Sequence, residues 1–223
     1  AEYGCRFGDS LKLWKAESSV VIKLRQIYTR IQLLDKQIHQ TNRQLEAFHS
    51  SGTLDNSLKK EITRILNHLQ NSKDKLEEEM IKLGKAEYQE TMECLQTIPG
   101  IGPKSAILLC IITGGFSKFE DAKQLTAYVG FSPRIYQSGT SVKGKGHICK
   151  MGKAQIRKVL YMCSWTAKFR NKQCAEMYNR LKELGKPERV IKIAIANKLL
   201  RQAFSVGKNK RYYNENFSQN ICF

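Results

Sequence analysis

A glycine-rich turn between two apolar stretches carries the residues with the clearest chemical potential. Residues 95–106 read LQTIPGIGPKSA. Gly100 and Gly102 flank Ile101, and without Cβ atoms they let backbone N–H groups approach another molecule closely. A helix restarting at Lys104 would add free N–H groups, the positive end of its dipole and a side-chain charge. This combination predicts a phosphate cradle that reads backbone rather than base sequence. The alternative is a turn used only for helix packing.

The second candidate is a loop at residues 131–152 that is rich in Gly, Ser and Lys. Ser138, followed by glycine, offers a hydroxyl in a flexible turn among lysines, which is what a DNA-facing nucleophile requires. By composition alone it is equally a plain turn, and Ser132 and Ser141 offer the same group. Tyr136 would suit a tyrosine recombinase, but the Arg/His constellation of that class is absent. The basic residues expected to contact nucleic acid around this loop are Arg134, Lys143, Lys145, Lys150, Lys153 and Lys158.

Charge is divided unevenly along the chain. Of the formal net charge of +18, residues 1–121 carry +1 and residues 122–223 carry +17. Residues 122–175 contain no acidic side chain, against 11 Lys and Arg. A one-signed surface repels itself and favours an anionic partner, and nucleic-acid phosphates add the gain from counterion release. A merely solvated basic face is the plain alternative. A membrane surface is disfavoured, because no basic amphipathic helix with an aromatic apolar face stands out.

The seven cysteines are scattered and odd in number, which favours reduced thiols in a cytoplasmic protein over a disulfide framework. Cys94, Cys110 and Cys163 fall inside apolar helical patterns and are predicted to be buried. His147 and Cys149 form one H-x-C pair without a second pair nearby, so no zinc site is expected. No apolar run reaches the roughly 20 residues that span a bilayer, and no signal peptide is visible.

Two long helices are predicted ahead of the basic half. Residues 17–49 place apolar side chains at alternating steps of four and three, which is the heptad pattern of a coiled-coil seam. Residues 50–53 break that helix, Asp55 is a suitable N-cap, and a second apolar pattern runs from Leu58 to Leu83. The short connection favours an antiparallel hairpin. Its balanced charges indicate a spacer or a dimerisation arm, and a hairpin closed within one chain is the alternative.

From residue 87 the patterns predict a compact helical unit. One helix ends near residue 98, and Ser117 with Glu120 forms a capping box for a helix containing Leu125. Further helices are predicted at residues 104–113, 153–169, 175–184 and 188–206. In the second of these, Ile156, Leu160, Cys163 and Trp165 are among the apolar positions. Residues 134–142 could pair briefly. The fold class is therefore all-α, a long antiparallel helical hairpin (coiled coil) followed by a small helical domain.

Four motifs in a fixed order carry a family resemblance. They are IPGIGPKSA (98–106), F-x₅-L-x-AYVGFSP (119–133), YQSG (136–139) and ICKMGKAQIRKVL (148–160). The first resembles the helix-hairpin-helix signature of proteins that bind DNA without sequence preference. Together, over residues 87–204, they resemble the C-terminal module of the Piv/MooV invertase family, which includes the DEDD insertion-sequence transposases described as bridge-RNA-guided recombinases. The preceding hairpin resembles the coiled-coil arm of that family.

The resemblance implies an active site made of two parts. An N-terminal RNase-H/RuvC-like domain with four acidic residues would hold divalent metal, expected to be Mg²⁺. The serine of the Ser-Gly motif, Ser138 here, would attack a DNA phosphate and form a phosphoserine link, because metal or a base can activate its weakly nucleophilic hydroxyl. Arg157 matches the arginine of the family's G-x-x-x-x-R helix and is a candidate phosphate ligand. The implied partners are DNA, a guide RNA where one is used, and further copies in a homodimer or higher oligomer; no membrane is implied.

The four-acid domain is expected to be missing from these 223 residues, which open with AEYGCRFGDS and no Met. Residues 1–16 are predicted to be its remnant, followed by the hairpin (17–86), the helix-hairpin-helix module with the serine (87–207) and a flexible tail (208–223). The chain alone should bind nucleic acid without cutting it and hold no cofactor. Two other readings remain open, namely a non-catalytic helix-hairpin-helix scaffold for DNA or RNA, and a coiled-coil interaction protein with incidental basicity.

Overall fold

A computed structural model describes residues 6, 8, 16–52, 54–134, 137–138, 142–144 and 146–216, and over these residues it confirms the all-α prediction. The helices are α1 (Ser19–Ser50), α2 (Asn56–Gln96), α3 (Pro103–Thr113), α4 (Ala122–Val129), α5 (Ala154–Arg170), α6 (Lys172–Glu183) and α7 (Glu188–Asn209). Four two-residue strands lie between α4 and α5, namely β1 (Pro133–Arg134), β2 (Gln137–Ser138), β3 (Val142–Lys143) and β4 (His147–Ile148). None of the described helices combines the length and the apolarity needed to cross a membrane.

The helices α1 and α2 pack side by side in opposite directions. Asp55 caps α2 as predicted, because its carboxylate accepts from the N–H groups at the start of that helix. The antiparallel register is visible in two ion pairs, Lys23–Glu79 at 2.8 Å and Lys73–Asp35 at 2.6 Å. These two helices form the arm of the molecule, and the rest of the chain from α3 onward is called the module below.

Burial along the seam of the arm declines with distance from the module. The buried seam positions of α1 are Val21, Leu24, Ile27, Ile31 and Leu34. Farther out, Leu45 and Phe48 are only half-buried, and Leu58 and Ile65 of α2 are exposed, although Ile62 between them is buried. The proximal half of the arm therefore belongs to the hydrophobic core, while the distal half leaves apolar surface uncovered within one chain.

The core runs across the predicted boundary between residues 86 and 87. α2 continues through that boundary, although Tyr88 departs from helical geometry with φ −126° and ψ 31°, so the helix kinks there. Leu24 and Ile31 of the arm lie in the same cluster of buried side chains as Ile107 and Leu199 of the module. The predicted division between the hairpin (17–86) and the segment that follows it (87–207) stays a prediction. The buried side chains of the arm and the module form one core.

At the centre of this core lies α3, which is apolar around its whole circumference, as expected of a helix enclosed on every side. Its buried residues are Ala106, Ile107, Leu108, Leu109, Cys110, Ile111 and Thr113. On the arm side, α2 approaches so closely at Gly84 that a Cβ there would overlap the side chain of Ile107. Gly84 therefore allows α2 to pack closely against α3.

The predicted capping box of Ser117 and Glu120 is wrong. The N-cap of α4 is Asp121, whose carboxylate accepts from the N–H of Gln124 at 2.7 Å. The hydroxyl of Ser117 instead donates to the carbonyl of Gly114 at 2.7 Å, so it is committed to the turn after α3. Asp121, four residues after Ser117, caps the helix instead, because the turn between α3 and α4 is longer than the sequence pattern suggested.

The tail predicted to be flexible (208–223) is docked on the module over its described part. α7 runs two residues into it. Beyond the helix, the N–H of Tyr213 donates to Thr97 Oγ1 at 2.9 Å, and its hydroxyl donates to Asn171 Oδ1 at 3.2 Å. These bonds fasten the segment to the end of α2 and the start of α6. Residues 217–223 lie outside the described residues.

Candidate nucleic-acid interface

The glycine-rich turn predicted to cradle phosphate joins α2 to α3. Ile98 and Ile101 are buried, and the N–H of Ile101 donates to the carbonyl of Ile98 at 3.0 Å, which closes the turn. Gly102 precedes α3 as its N-cap, makes no side-chain cap and has open space around its Cα. Residues 102–104 are exposed, so the first turn of α3 offers an uncapped, accessible N-terminus beside the turn.

Two other residues of this turn are engaged inside the chain. Gly100 has φ +107°, and a Cβ there would lie 2.9 Å from the Cβ of Ala167 and 3.2 Å from the carbonyl oxygen of Cys163, both in α5. The packing interpretation therefore holds for this glycine. Lys104 pairs with the carboxylate of Glu77 in α2, which offsets its charge, although its side chain remains 63% exposed.

The loop between α4 and α5 contains a short antiparallel hairpin. Pro133 and Arg134 pair with Ile148 and His147, and farther out β2 pairs with β3. Pairing in this loop was predicted for residues 134–142, and the structure extends it to residue 148. Ser138 is the last residue of β2, opposite Val142, so it lies at the outer end of the described ladder.

Glycines lock the base of this hairpin to the helices on either side. Gly130 has φ +83°, and a Cβ there would overlap the carbonyl oxygen of Met151. Gly152 has φ +126°, and a Cβ there would overlap the carbonyl oxygen of Tyr128. The N–H of Lys150 donates across the gap to the carbonyl of Gly130 at 3.1 Å. The two chain segments thus cross at backbone contact distance, which fixes the direction in which the hairpin leaves the module.

Arg157, expected to bind phosphate, makes a hydrogen bond inside the chain. It lies one turn into α5 and is half-buried, and its Nη1 donates to the carbonyl of Val129 at 2.6 Å. That carbonyl is at the end of α4, where a cation complements the negative end of the helix dipole. The guanidinium therefore joins the start of α5 to the end of α4 directly below the hairpin.

Most of the other predicted cationic contacts are solvent-exposed around the hairpin base and the start of α5. The exposed residues are Arg134, Lys150, Lys153 and Lys158. Lys153 lies with its Nζ 5.6 Å from the centre of the Tyr128 ring. Lys143 belongs to β3, while Lys145, Tyr136 and Ser141 lie outside the described residues. Ser132 is half-buried, and its carbonyl accepts from the N–H of Cys149 at 2.8 Å.

The helix α5 contacts both candidate sites. Arg157 donates to the carbonyl of Val129, just before the hairpin loop, and Cys163 and Ala167 contact the glycine-rich turn at Gly100. These positions are six to ten residues apart, which is about 9–15 Å along a helix. The glycine-rich turn and the hairpin loop therefore lie next to separate positions of the same helix and do not form a single pocket.

A cluster of lysines and aromatic rings on α5 was missed by the sequence analysis. Trp165 was assigned to the apolar face of this helix, but it is 48% exposed, and Phe169 is 76% exposed. Lys192 of α7 is 5% exposed and places its Nζ 3.3 Å from the centre of the Trp165 ring. The available signal was that Met162, Trp165 and Phe169 recur at helical spacing on the side opposite the buried positions.

A single carboxylate organises this cluster. Glu188 accepts from the Tyr178 hydroxyl at 2.8 Å and pairs with Lys168 at 3.1 Å and Lys192 at 3.3 Å. The bond from Tyr178, followed by those from the two lysines, lowers the pKa of Glu188 to about 2. It therefore stays ionised at neutral pH and fixes both ammonium groups beside the rings.

The described residues contain no group of three or more His, Cys, Asp or Glu side chains that could hold a metal ion. The predicted burial of Cys94, Cys110 and Cys163 is confirmed. Burial raises the pKa of the Cys110 thiol to about 12, so it is a packing residue rather than a nucleophile.

Comparison with known proteins relates this part of the chain to transposases. Residues 92–179, from the last turn of α2 to α6, match the model of the transposase IS116/IS110/IS902 family. The matched segment contains both the glycine-rich turn and the hairpin.

Two relatives extend the comparison. The pilin gene-inverting protein of Moraxella lacunata is 28% identical over 221 residues, which cover 96% of this chain and 65% of that protein. The transposase for insertion sequence element IS1328 of Yersinia enterocolitica is 32% identical over 125 residues, covering 52% of this chain and 36% of that protein. The chain thus spans less than two thirds of either relative. These matches support the transposase family, as the motifs indicated.

Replacing Arg157 with alanine should destabilise the fold, because it removes a charged hydrogen bond to the carbonyl of Val129, a buried residue. We expect the free energy of unfolding to fall by about 1.5–3 kcal/mol, measured by urea denaturation. The neighbouring exposed Lys158→Ala should change it by less than about 0.5 kcal/mol. An Arg157→Ala variant of unchanged stability that loses DNA binding would show that Arg157 is a phosphate ligand after all.

Proposed function

We propose that this chain is the DNA-binding C-terminal part of a transposase or site-specific recombinase. The observation that carries the proposal is the charge division, with +17 on residues 122–223 and four of the predicted cationic contacts exposed around one hairpin and the start of α5. The transposase matches over the same segment support it. Phosphate contacts of this kind position a nucleic acid without reading its sequence.

The hairpin carries Ser138, which we propose as the nucleophile. Its hydroxyl oxygen would form a bond to a DNA phosphorus atom while the bond from that phosphorus to one sugar oxygen breaks. The serine proton is lost, the departing sugar oxygen takes up a proton to become a hydroxyl, and a phosphoserine link remains. The rigid base at Gly130 and Gly152 supports this role, because a nucleophile must be held in a reproducible position. Lysines of the same loop would stabilise the charge that develops on the phosphoryl oxygens.

The described residues do not offer a site for the divalent metal that the resemblance implies. We propose that a separate RNase-H-like domain supplies it. The aligned region covers 65% of the Moraxella lacunata protein, which leaves length there for such a domain.

In the same scheme the arm joins two or more copies, since Leu58 and Ile65 leave apolar surface at its distal end. A guide RNA, where used, would read the target by base pairing.

A second function is favoured by one specific observation. Gly100 and Arg157, both expected to face phosphate, are used in packing. This suits a non-catalytic helix-hairpin-helix scaffold for DNA or RNA, in which Ser138 is only a turn residue. Both functions require salt-dependent binding to nucleic acid, and they differ in what Ser138 does.

Neutralising lysines at the hairpin base should flatten the salt dependence of duplex binding. When Lys150, Lys153 and Lys158 are changed to Gln, we expect the slope of log K against log salt to fall by about one unit for each phosphate that is no longer neutralised. Fluorescence anisotropy across a salt series measures it. The matched control changes Lys59, Lys60 and Lys75 of the arm to Gln, which removes the same amount of charge. Equal slopes for the two triple variants would contradict the assignment of the binding surface.

Changing Ser138 to alanine should abolish strand joining while leaving duplex affinity unchanged, because one small hydroxyl is removed from a backbone-reading surface. The assay is recombination by a protein that also carries the metal-binding domain, with trapping of the covalent protein–DNA link. Ser132→Ala and Ser141→Ala serve as controls and should retain joining. Full activity of Ser138→Ala would favour the non-catalytic scaffold.

A further inference from the structure

We propose that the exposed face of α5 is a stacking platform for unpaired bases of single-stranded DNA. The proposal rests on the proposed DNA-binding function and adds the form of DNA that this surface takes. Its centre is the pair Trp165 and Phe169, which no step of the scheme above uses.

The platform is a continuous stripe of large side chains. Lys158, Met162, Trp165 and Phe169 follow one another at steps of four, three and four, so they lie on one face of α5. Met162 is 61% exposed, and Phe169 is the most exposed large apolar residue of the helix at 76%. Single exposed apolar residues need no explanation, whereas a contiguous stripe marks a binding surface.

The Trp165 ring is held in place before any ligand arrives. Lys192 backs the ring at 3.3 Å from its centre, and Glu188 fixes that lysine by an ion pair of 3.3 Å. The same carboxylate pairs with Lys168 and accepts from Tyr178. An aromatic ring fixed by neighbours loses little conformational freedom on binding, which favours its use as a stacking surface.

Charge around the stripe identifies an anionic occupant. Lys168 places its Nζ 4.7 Å from the centre of the Phe169 ring. Arg170 and Lys172 are exposed just beyond that ring, and no acidic residue occurs from residue 122 to residue 175. An apolar protein partner would add no counter-charge to the exposed Arg170 and Lys172. A nucleic-acid strand supplies both a π-face for each ring and a phosphate for each cation.

The bases must be unpaired, because in a duplex their faces are already stacked on one another. Trp165 lies eleven residues beyond the start of α5, which is about 16 Å along the helix from the end of the hairpin loop. A strand separated from its complement near the hairpin could therefore continue along α5. The surface would be sequence-tolerant, since every base offers a π-face.

The test changes the ring and keeps the apolar bulk. In Phe169→Leu we expect the affinity for an oligothymidine to fall on the order of tenfold, measured by anisotropy, with duplex affinity unchanged. Tyr212→Leu is the matched control, because Tyr212 is 71% exposed and lines a groove with Glu90, Glu93, Lys210 and Arg211 rather than with residues of α5. An abasic oligonucleotide of the same length should bind both variants and the parent protein equally, since it has phosphates without bases.

Tryptophan fluorescence gives a second, independent readout. Trp14→Phe leaves Trp165 as the single tryptophan, and its emission should be quenched by oligothymidine but not by the abasic strand.

Unchanged oligothymidine binding by Phe169→Leu, or equal loss for the abasic strand, would overturn the proposal. If that variant also sediments differently from the parent protein, the stripe is a contact between copies. Tighter binding of the RNA equivalent would assign the platform to RNA. Absence of any salt-dependent duplex binding would instead refute the proposed function.

Discussion

The burial of α3 is the constraint on which the other elements depend. This helix has no polar face to offer water, so the chain must surround it. The arm covers it on one side at Gly84, and α5 packs against the turn that leads into it at Gly100. At Gly84 a Cβ would overlap the Ile107 side chain, and at Gly100 it would crowd Ala167 and the carbonyl of Cys163, so both glycines allow a closer approach than a larger residue would.

From this arrangement follows how the basic surface is displayed. α5 is held at its middle by the glycine-rich turn and near its start by Arg157, whose Nη1 reaches the carbonyl of Val129. With its inner face committed to α3 and α7, the helix shows the opposite face to solvent. The hairpin bearing Ser138 leaves from its N-terminal end. Residues expected to touch phosphate therefore fall into two groups. Gly100 and Arg157 make contacts that hold the elements in place, whereas Arg134, Lys150, Lys153 and Lys158 are exposed at the surface.

Sequence patterns predicted the fold class and the elements with strong periodicity, such as α1 and the N-cap at Asp55. The heptad steps and the charge division are local in sequence, so no tertiary information was needed. The spacing of Met162, Trp165 and Phe169 could have placed Trp165 on the exposed face of α5. The sequence could not show that Arg157 donates to the carbonyl of Val129, because that contact depends on how α4 meets α5. The cap of α4 was misplaced since Ser117 had a competing acceptor at Gly114. The role of Ser138 stays a prediction.

The central claim is that the surface around the hairpin base and α5, rather than the arm, carries the contact with DNA. The most direct measurement is acetylation of lysines in the whole chain with and without duplex DNA, read by mass spectrometry. We expect protection of Lys150, Lys153 and Lys158 and unchanged reactivity of Lys59 and Lys60, which are also exposed. Protection confined to the arm, or spread evenly over both, would contradict it.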